Sequence, residues 1–325
     1  MDIKIYLAEL RWYCAGVHRA IEILDKAIKQ FPTPIYVNHE IIHNKFIIKY
    51  YEKKWIIFGE KLENIPENSV MIFSAHWVGP EFIKKVQNKN IKYIDASCPL
   101  VIKVHSEAKI FLEKWYDIIY IWKKGHQEAE WVKEEGENKI HIIWNLEDLE
   151  NVKIDNEKIA LLTQTTLSID DTKILIENVK TKFPNIELPK IKDICFATTN
   201  RQEAVKKICE NNLDLLIIIG SQNSSNSNKL KQIWEKLNIN SILIDSYKEI
   251  DITILKNIYK NKNSLSTESF SPLNSLNIWI SSWASAPDKL VKEVIEYLKS
   301  IWNTQIEIIK TVEEKMIFPS NLELK

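Results

Sequence analysis

Residues 92–115 read KYIDASCPLVIKVHSEAKIFLEKW. A short β-prone run, KYID, leads into the small-residue corner Ala96–Ser97–Cys98. Pro99 follows, and its fixed φ and missing N–H suit the first position of a helix. Residues 100–115 then read as an amphipathic helix. Strand, cysteine, helix is the order. It recurs at Cys14, where IKIYLAEL (3–10) precedes and VHRAIEILDKAIKQF (17–31) follows. It recurs again at Cys195, where Thr198, Thr199 or Asn200 is placed to cap the helix of NRQEAVKKICENN (200–212). Three such units predict three similar α/β lobes, with the cysteine corners meeting at a centre.

Outward from these corners the alternation continues. PIYVNHEII (34–42), VMIFSAH (70–76), DIIYIW (117–122), IALLTQTT (159–166), LDLLIIIGS (213–221) and SILIDS (241–246) read as buried strands. DTKILIENVKTKF (171–183) reads as a further amphipathic helix. Strands alternating with helices predict small, mostly parallel sheets. The lobes expected are 14–97, 98–194, and 1–13 joined with 195–302, followed by a C-terminal strand and tail over 303–325. Residues 256–276, KNIYKNKNSLSTESFSPLNSL, are rich in Asn, Ser and Lys and read as a flexible surface loop.

The bulk composition excludes several classes. The 44 basic and 44 acidic side chains of this 325-residue chain cancel, unlike the basic footprint of a nucleic-acid binder. No apolar run reaches the roughly 18 residues that a membrane span needs. The N-terminus lacks the basic start and cleavage site of a signal peptide, so a cytoplasmic location is expected.

Four cysteines are present, Cys14, Cys98, Cys195 and Cys209. In a reducing cytosol, disulfides are not expected. A lone cysteine is most often a small buried hydrophobe, and Cys209, within a helix, reads as that. The other three stand at predicted helix N-termini, where the dipole favours the thiolate, the form that binds metal. The paired CxxC spacing of structural zinc is missing. Three distant thiolates that converge suit a cubane cluster with one iron left open, although cluster motifs usually bring their cysteines close in sequence.

Histidines mark strand ends. His39, His76 and His126 lie in NHE, SAHWV and KKGHQEAE, at or just after strands. Ligands in open α/β sheets bind at such carboxyl ends. Singly, each histidine reads as structural. With GSQNSSNSN (220–228), a segment of hydroxyls, amides and backbone N–H groups after a strand, they suggest a small-anion site. The plainer reading of that segment is a capped turn. Glu128, two residues after His126, is placed to deliver a proton. Thr165 and Thr166, at another strand end, can hold a hydroxyl or merely cap.

The blocks CAGVHRAIE, PIYVNHEIIHN, FSAHWV, DASCPLVIKVH, GHQEAE, TQTTLSIDDT, DICFATTNRQEAV, GSQNSSNSNKL and ASAPD occur in order between Cys14 and Asp288, within a resemblance that runs from residue 1 to about 315. In these the chain resembles the LytB-type 4-hydroxy-3-methylbut-2-enyl diphosphate reductases. The resemblance implies three α/β lobes around a central pocket and one [4Fe-4S] cluster on Cys14, Cys98 and Cys195. It implies a small allylic diphosphate held by His39, His76, His126, Ser224, Ser225, Asn226 and Ser285. Glu128 would supply protons and Thr165 would lie by the substrate hydroxyl. The activity implied is reductive dehydroxylation to isopentenyl and dimethylallyl diphosphates, with electrons from ferredoxin or flavodoxin. The alternatives are a non-catalytic metal-binding relative and a simple electron carrier, which would need no diphosphate pocket.

One count is out of line. The chain has 11 Trp and 6 Gly, where typical usage is roughly 7% Gly. Trp12, Trp55, Trp77, Trp115, Trp122, Trp131, Trp279, Trp283 and Trp302 fall where the family has or often has glycine. Trp144 and Trp234 complete the set. The pattern predicts UGA codons that mean glycine but are written as tryptophan. A chain truly carrying these indoles would be crowded at Trp12, Trp77 and Trp283.

Overall fold

The computed structural model describes residues 1–9, 11, 13–122, 127–165, 167, 169–189, 194–208, 213–220, 240–264, 275–282, 286–310 and 314–325. The chain divides into two compact units. One is Met1–Cys14, His43–Phe46 and Asn200–Lys315; the other is Ala15–Ile42, Ile47–Thr199 and Met316–Lys325.

The first unit is built on β1 (Asp2–Ala8), β9 (Leu215–Ile219), β10 (Ser241–Ile244), β11 (Leu276–Ser282) and β12 (Asn303–Ile309). They form one parallel sheet in the order β10-β9-β11-β1-β12. The run LLIII of β9 is buried throughout, as expected of a central parallel strand covered on both faces. Leu290, Val291, Val294, Ile295 and Leu298 line one face of helix α10 (Asp288–Ile301). They join Ile3, Ile5, Ile278 and Ile280 in the largest apolar cluster of this unit.

Helix α9 (Ile252–Ser264) corrects the expected loop over 256–276. Leu255, Ile258 and Tyr259 fall on one face of it and pack against the sheet core, and this spacing outweighs the polar composition. Residues 265–274 lie outside the described residues, and β11 begins at Leu276.

The second unit carries two smaller parallel sheets. β2 (Ile35–Val37), β3 (Ile56–Phe58), β4 (Val70–Phe73) and β5 (Lys92–Asp95) pair in the order β3-β2-β4-β5. β6 (Asp117–Ile121), β7 (Ile140–Ile143) and β8 (Ile159–Thr163) pair as β7-β6-β8. Helices α1 (Ala15–Gln30), α2 (Lys45–Glu52), α3 (Pro80–Asn88), α4 (Pro99–Glu113), α5 (Gln127–Gly136), α6 (Leu146–Asn151) and α7 (Ile169–Lys182) precede α8 (Phe196–Ile208) in chain order. The eight internal strands and the C-terminal strand expected from sequence are present, with β3, β7 and β11 in addition. The architecture is therefore α/β with three small parallel sheets.

The C-terminal tail is tied to the second unit. Leu324 bridges Ile94, and the Lys325 N–H donates to the Tyr93 carbonyl at 2.9 Å. Among the described residues no helix is long and apolar enough to cross a membrane.

Candidate functional site

In the second unit, candidate site residues collect where parallel strands end. β2, β4 and β5 are neighbours, and just beyond their carboxyl ends stand His39, His76 and Cys98. Backbone bonds stitch these ends together. The Ala75 N–H donates to the Ile41 carbonyl at 3.2 Å, and the Cys98 N–H donates to the Ala75 carbonyl at 3.0 Å. The Ser74 N–H donates to Asn38 Oδ1 at 2.8 Å. His39 and His76 are close enough to repel one another when charged. Burial, with that repulsion, lowers the pKa of His76 to about 4, although Glu40 acts in the opposite sense. At neutral pH His76 is therefore an uncharged imidazole with a single N–H to donate. His39 accepts the Glu40 N–H at its Nδ1 (2.7 Å), which places its own ring proton on Nε2.

Cys98 is the N-cap of α4, with Pro99 opening the helix as expected. Its sulfur lies against the start of α1. A Cβ at Gly16 would stand 2.6 Å from Cys98 Sγ, so any side chain at that position would force its neighbours to shift. The Cys98 corner is held by Arg19, three residues further along α1. Its guanidinium donates to the carbonyls of Ser97 (2.9 Å), Asp95 (3.2 Å) and Pro319 (2.9 Å). Sequence reasoning did not single out Arg19. Its signal was the i, i+3 spacing from Gly16, which sets both on one side of the helix.

At the other small sheet, Thr165 lies just beyond β8 and is buried. Its carbonyl accepts the Cys195 N–H at 2.8 Å, so Thr165 and Cys195 are brought together. The cap at Cys195 differs from expectation. The helix already begins at Phe196, which places Thr198 inside its first turn. Cys195 itself is the cap, because its sulfur accepts the Thr198 N–H at 3.3 Å. The Thr198 hydroxyl lies 3.0 Å from the same sulfur. The Thr198 N–H and hydroxyl thus both face this sulfur at the start of the helix.

Cys14 directly precedes α1 and packs, partly buried, against the first unit's apolar cluster of Tyr6, Ala8, Leu216, Ile218 and Trp279. Three thiols at the starts of three helices suit soft-metal ligation, and the space against Cys98 Sγ is kept clear by Gly16. Among the described residues, no group of three His, Cys, Asp or Glu side chains gathers as a lone metal ion would require.

Glu128 lies in the first turn of α5, which follows β6. This helix is wedged between two cores: Val132 packs with the cluster of β6 and β8, and Trp131 against the cluster of β4 and β5. His126, Ser224, Ser225, Asn226, Ser285 and Thr166 lie outside the described residues, as do Trp12, Trp234, Trp283 and Cys209.

A parallel α/β frame with thiols at helix starts, and with uncharged histidine and threonine at strand ends, defines a thiol-bearing α/β enzyme. A family model described as LytB protein matches residues 5–299, and the chain belongs to the LytB family. The 4-hydroxy-3-methylbut-2-enyl diphosphate reductase of Ehrlichia ruminantium (strain Gardel) is 41% identical over 320 residues, covering 98% of this chain and 92% of that protein. The enzyme of the same description from Ruthia magnifica is 39% identical over 324 residues, covering 99% of this chain and 100% of that protein. Among solved structures, the E-1-hydroxy-2-methyl-but-2-enyl-4-diphosphate reductase from Plasmodium falciparum matches with a TM-score of 0.88 at 35% identity. That match covers 97% of this chain and 94% of the other. A second, described as the terminal enzyme of the non-mevalonate pathway, matches with a TM-score of 0.64 at 25% identity, covering 92% of this chain and 99% of the other.

Proposed function

We propose that this chain is a reductase that removes the allylic hydroxyl of 4-hydroxy-3-methylbut-2-enyl diphosphate, giving isopentenyl and dimethylallyl diphosphates. The observation that carries the reading is the sharing of strand ends by thiols and uncharged polar groups: Cys98 with His76, and Cys195 with Thr165. Cys14, Cys98 and Cys195 hold one [4Fe-4S] cluster. A cubane takes its thiolates at separate corners, so it does not ask for the tight trio of a single ion. When bound, it would pass on, one at a time, the two electrons that the carrier delivers, and would offer an iron as a Lewis acid for the allylic oxygen.

The chain's own residues do the rest. His76, uncharged at neutral pH, and His39, with its proton on Nε2, donate to diphosphate oxygens. His126, Ser224, Ser225, Asn226 and Ser285 complete that grip. Holding the diphosphate fixes where the alcohol lies and lowers the entropic cost of reaction. The Thr165 hydroxyl orients the substrate hydroxyl, and Glu128 protonates it so that water leaves. The balance is two electrons and two protons consumed, one C–O bond broken, one C–H bond formed and one water released. The electrons come from a small carrier, ferredoxin or flavodoxin.

A second reading is favoured by one observation. Trp77, directly after His76, is buried with its ring stacked on His105, the centroids 3.7 Å apart. A chain that truly carries this indole is crowded beside His76 and is a non-catalytic metal-binding relative.

The test is anaerobic purification, iron and sulfide analysis, and turnover with a chemical reductant, on this chain and on its Trp77→Gly variant. Turnover that is lost in Cys98→Ser and Glu128→Gln supports the reductase. Bound cluster with turnover only in the Trp77→Gly variant supports the second reading, and bound cluster without turnover in either chain overturns the reductase. No iron in either chain overturns both.

A further inference from the structure

Among the described residues six have a positive φ: Gly59, Asn68, Asn90, Trp55, Trp77 and Trp115. Glycine and asparagine are the residues that visit this left-handed region routinely. A bulky side chain there is a genuine outlier. Three tryptophans in it, at 63°, 69° and 65°, are beyond chance placement.

The local hydrogen bonds say what each position requires. After α4, the Tyr116 N–H donates to the Phe111 carbonyl and the Trp115 N–H to the Leu112 carbonyl, both at 3.0 Å. That pair is the Schellman ending, whose C′ residue is left-handed and usually glycine. Trp115 is that residue. Helix α3 ends by the same two bonds, Ile91 N–H to Val86 and Asn90 N–H to Gln87, with Asn90 at C′. The chain thus builds one motif twice, once with a residue suited to it and once with tryptophan. Trp55 follows α2 in like manner, its N–H donating to Glu52 at 3.0 Å. Neither ring has a burial role, since Trp55 and Trp115 are each 72% exposed.

We infer that positions 55, 77 and 115 are glycine in the protein its own cell makes, the codons being UGA read as glycine and written here as tryptophan. Glycine at these positions would move the low glycine count and the high tryptophan count of the chain in the ordinary direction. Backbone conformation sets these three positions apart from Trp302, whose φ of −138° any residue adopts. The inference does not rest on the proposed reaction, since it concerns only which residue the backbone holds.

The decisive measurement is the codon at each position, together with the peptide masses of the protein purified from its natural host. UGA codons and glycine residue masses at 55, 77 and 115 are expected. UGG codons, or tryptophan masses, overturn the inference. Trp115→Gly and Trp55→Gly, made in a standard host, give a physical check: each raises the thermal midpoint, by about 2–5 °C. A fall in both midpoints would show that the backbone wants tryptophan there and would equally overturn it.

Discussion

At the scale of single residues, the space around two sulfurs makes testable demands. Gly16 lies in the first turn of α1, where alanine is ordinarily the better helix former by about 1 kcal/mol. Here its Cβ would meet Cys98 Sγ at 2.6 Å, far inside contact distance. Overpacking of this kind costs about 1–3 kcal/mol. Gly16→Ala is therefore expected to lower stability in denaturant unfolding, against the helix propensity scale. Equal or greater stability would mean that the helix start yields freely. At Cys195 the sulfur faces both the N–H and the hydroxyl of Thr198. Thr198→Val keeps the N–H and removes the hydroxyl. A hydrogen bond to a charged acceptor is worth about 1.5 kcal/mol or more, so alkylation of Cys195 in metal-free protein should slow by roughly tenfold at neutral pH. An unchanged rate would assign the thiolate to the helix start alone. The sequence made both cysteines legible as helix-start thiols. It did not reveal that Cys195 caps its own helix, because that depends on where the first turn begins, and Thr198, Thr199 and Asn200 are all plausible caps by type.

At the scale of elements, legibility followed hydrophobic period and length. The apolar runs IIYI of β6, IALL of β8 and LLIII of β9 could hardly be anything but buried strands. β3 is three residues long, and β7, IHII, carries its signal over four, too short for alternation to stand out. Helix α9 failed for the opposite reason. Lys256, Asn257, Lys260 and Asn261 face solvent, and composition averaged over 256–276 hid the stripe that begins at Leu255. That stripe has a measurable weight. Leu255 is 1% exposed within the core of the five-stranded sheet. Leu255→Ala should cost about 2–5 kcal/mol in chemical denaturation, from lost burial and the cavity left behind. A cost below about 1 kcal/mol would restore the loop reading. The site's elements were legible in part. Cysteines and histidines at strand ends announce themselves by type, whereas Arg19 does not. It acts through three carbonyls whose convergence only the fold creates.

At the scale of the whole molecule, two buried histidines tie stability to pH. His105 is 3% exposed, and neither of its ring nitrogens has a hydrogen-bond partner among the described residues. Burial, with Lys109 nearby, lowers its pKa from the ordinary 6.5 to about 3. His76 is lowered to about 4, also chiefly by burial. In the unfolded chain both take up protons near 6.5, whereas in the folded chain they do not until far lower. The stability they allow is therefore complete above pH 6.5. It is lost as pH falls, to about 4 for His76 and about 3 for His105, and changes no further below. For His105 the loss between pH 7.5 and pH 4 is about 3 kcal/mol, at roughly 1.4 kcal/mol per pH unit. His105→Phe keeps a ring against Trp77 and removes the titration. Its stability relative to the parent should be flat above pH 7 and rise by about that amount at pH 4. A constant difference across this range would mean that His105 titrates as it does in water. The same experiment in the Trp77→Gly background carries the argument further. The indole covers one face of His105 in a near-parallel stack of 19°. Without it, water reaches the imidazole and the desolvation that depresses its pKa is relieved. The acid loss traced to His105 should then shrink. If it stays at full size, the burial of His105 comes from α4 and its other neighbours, and residue 77 has no part in setting its charge.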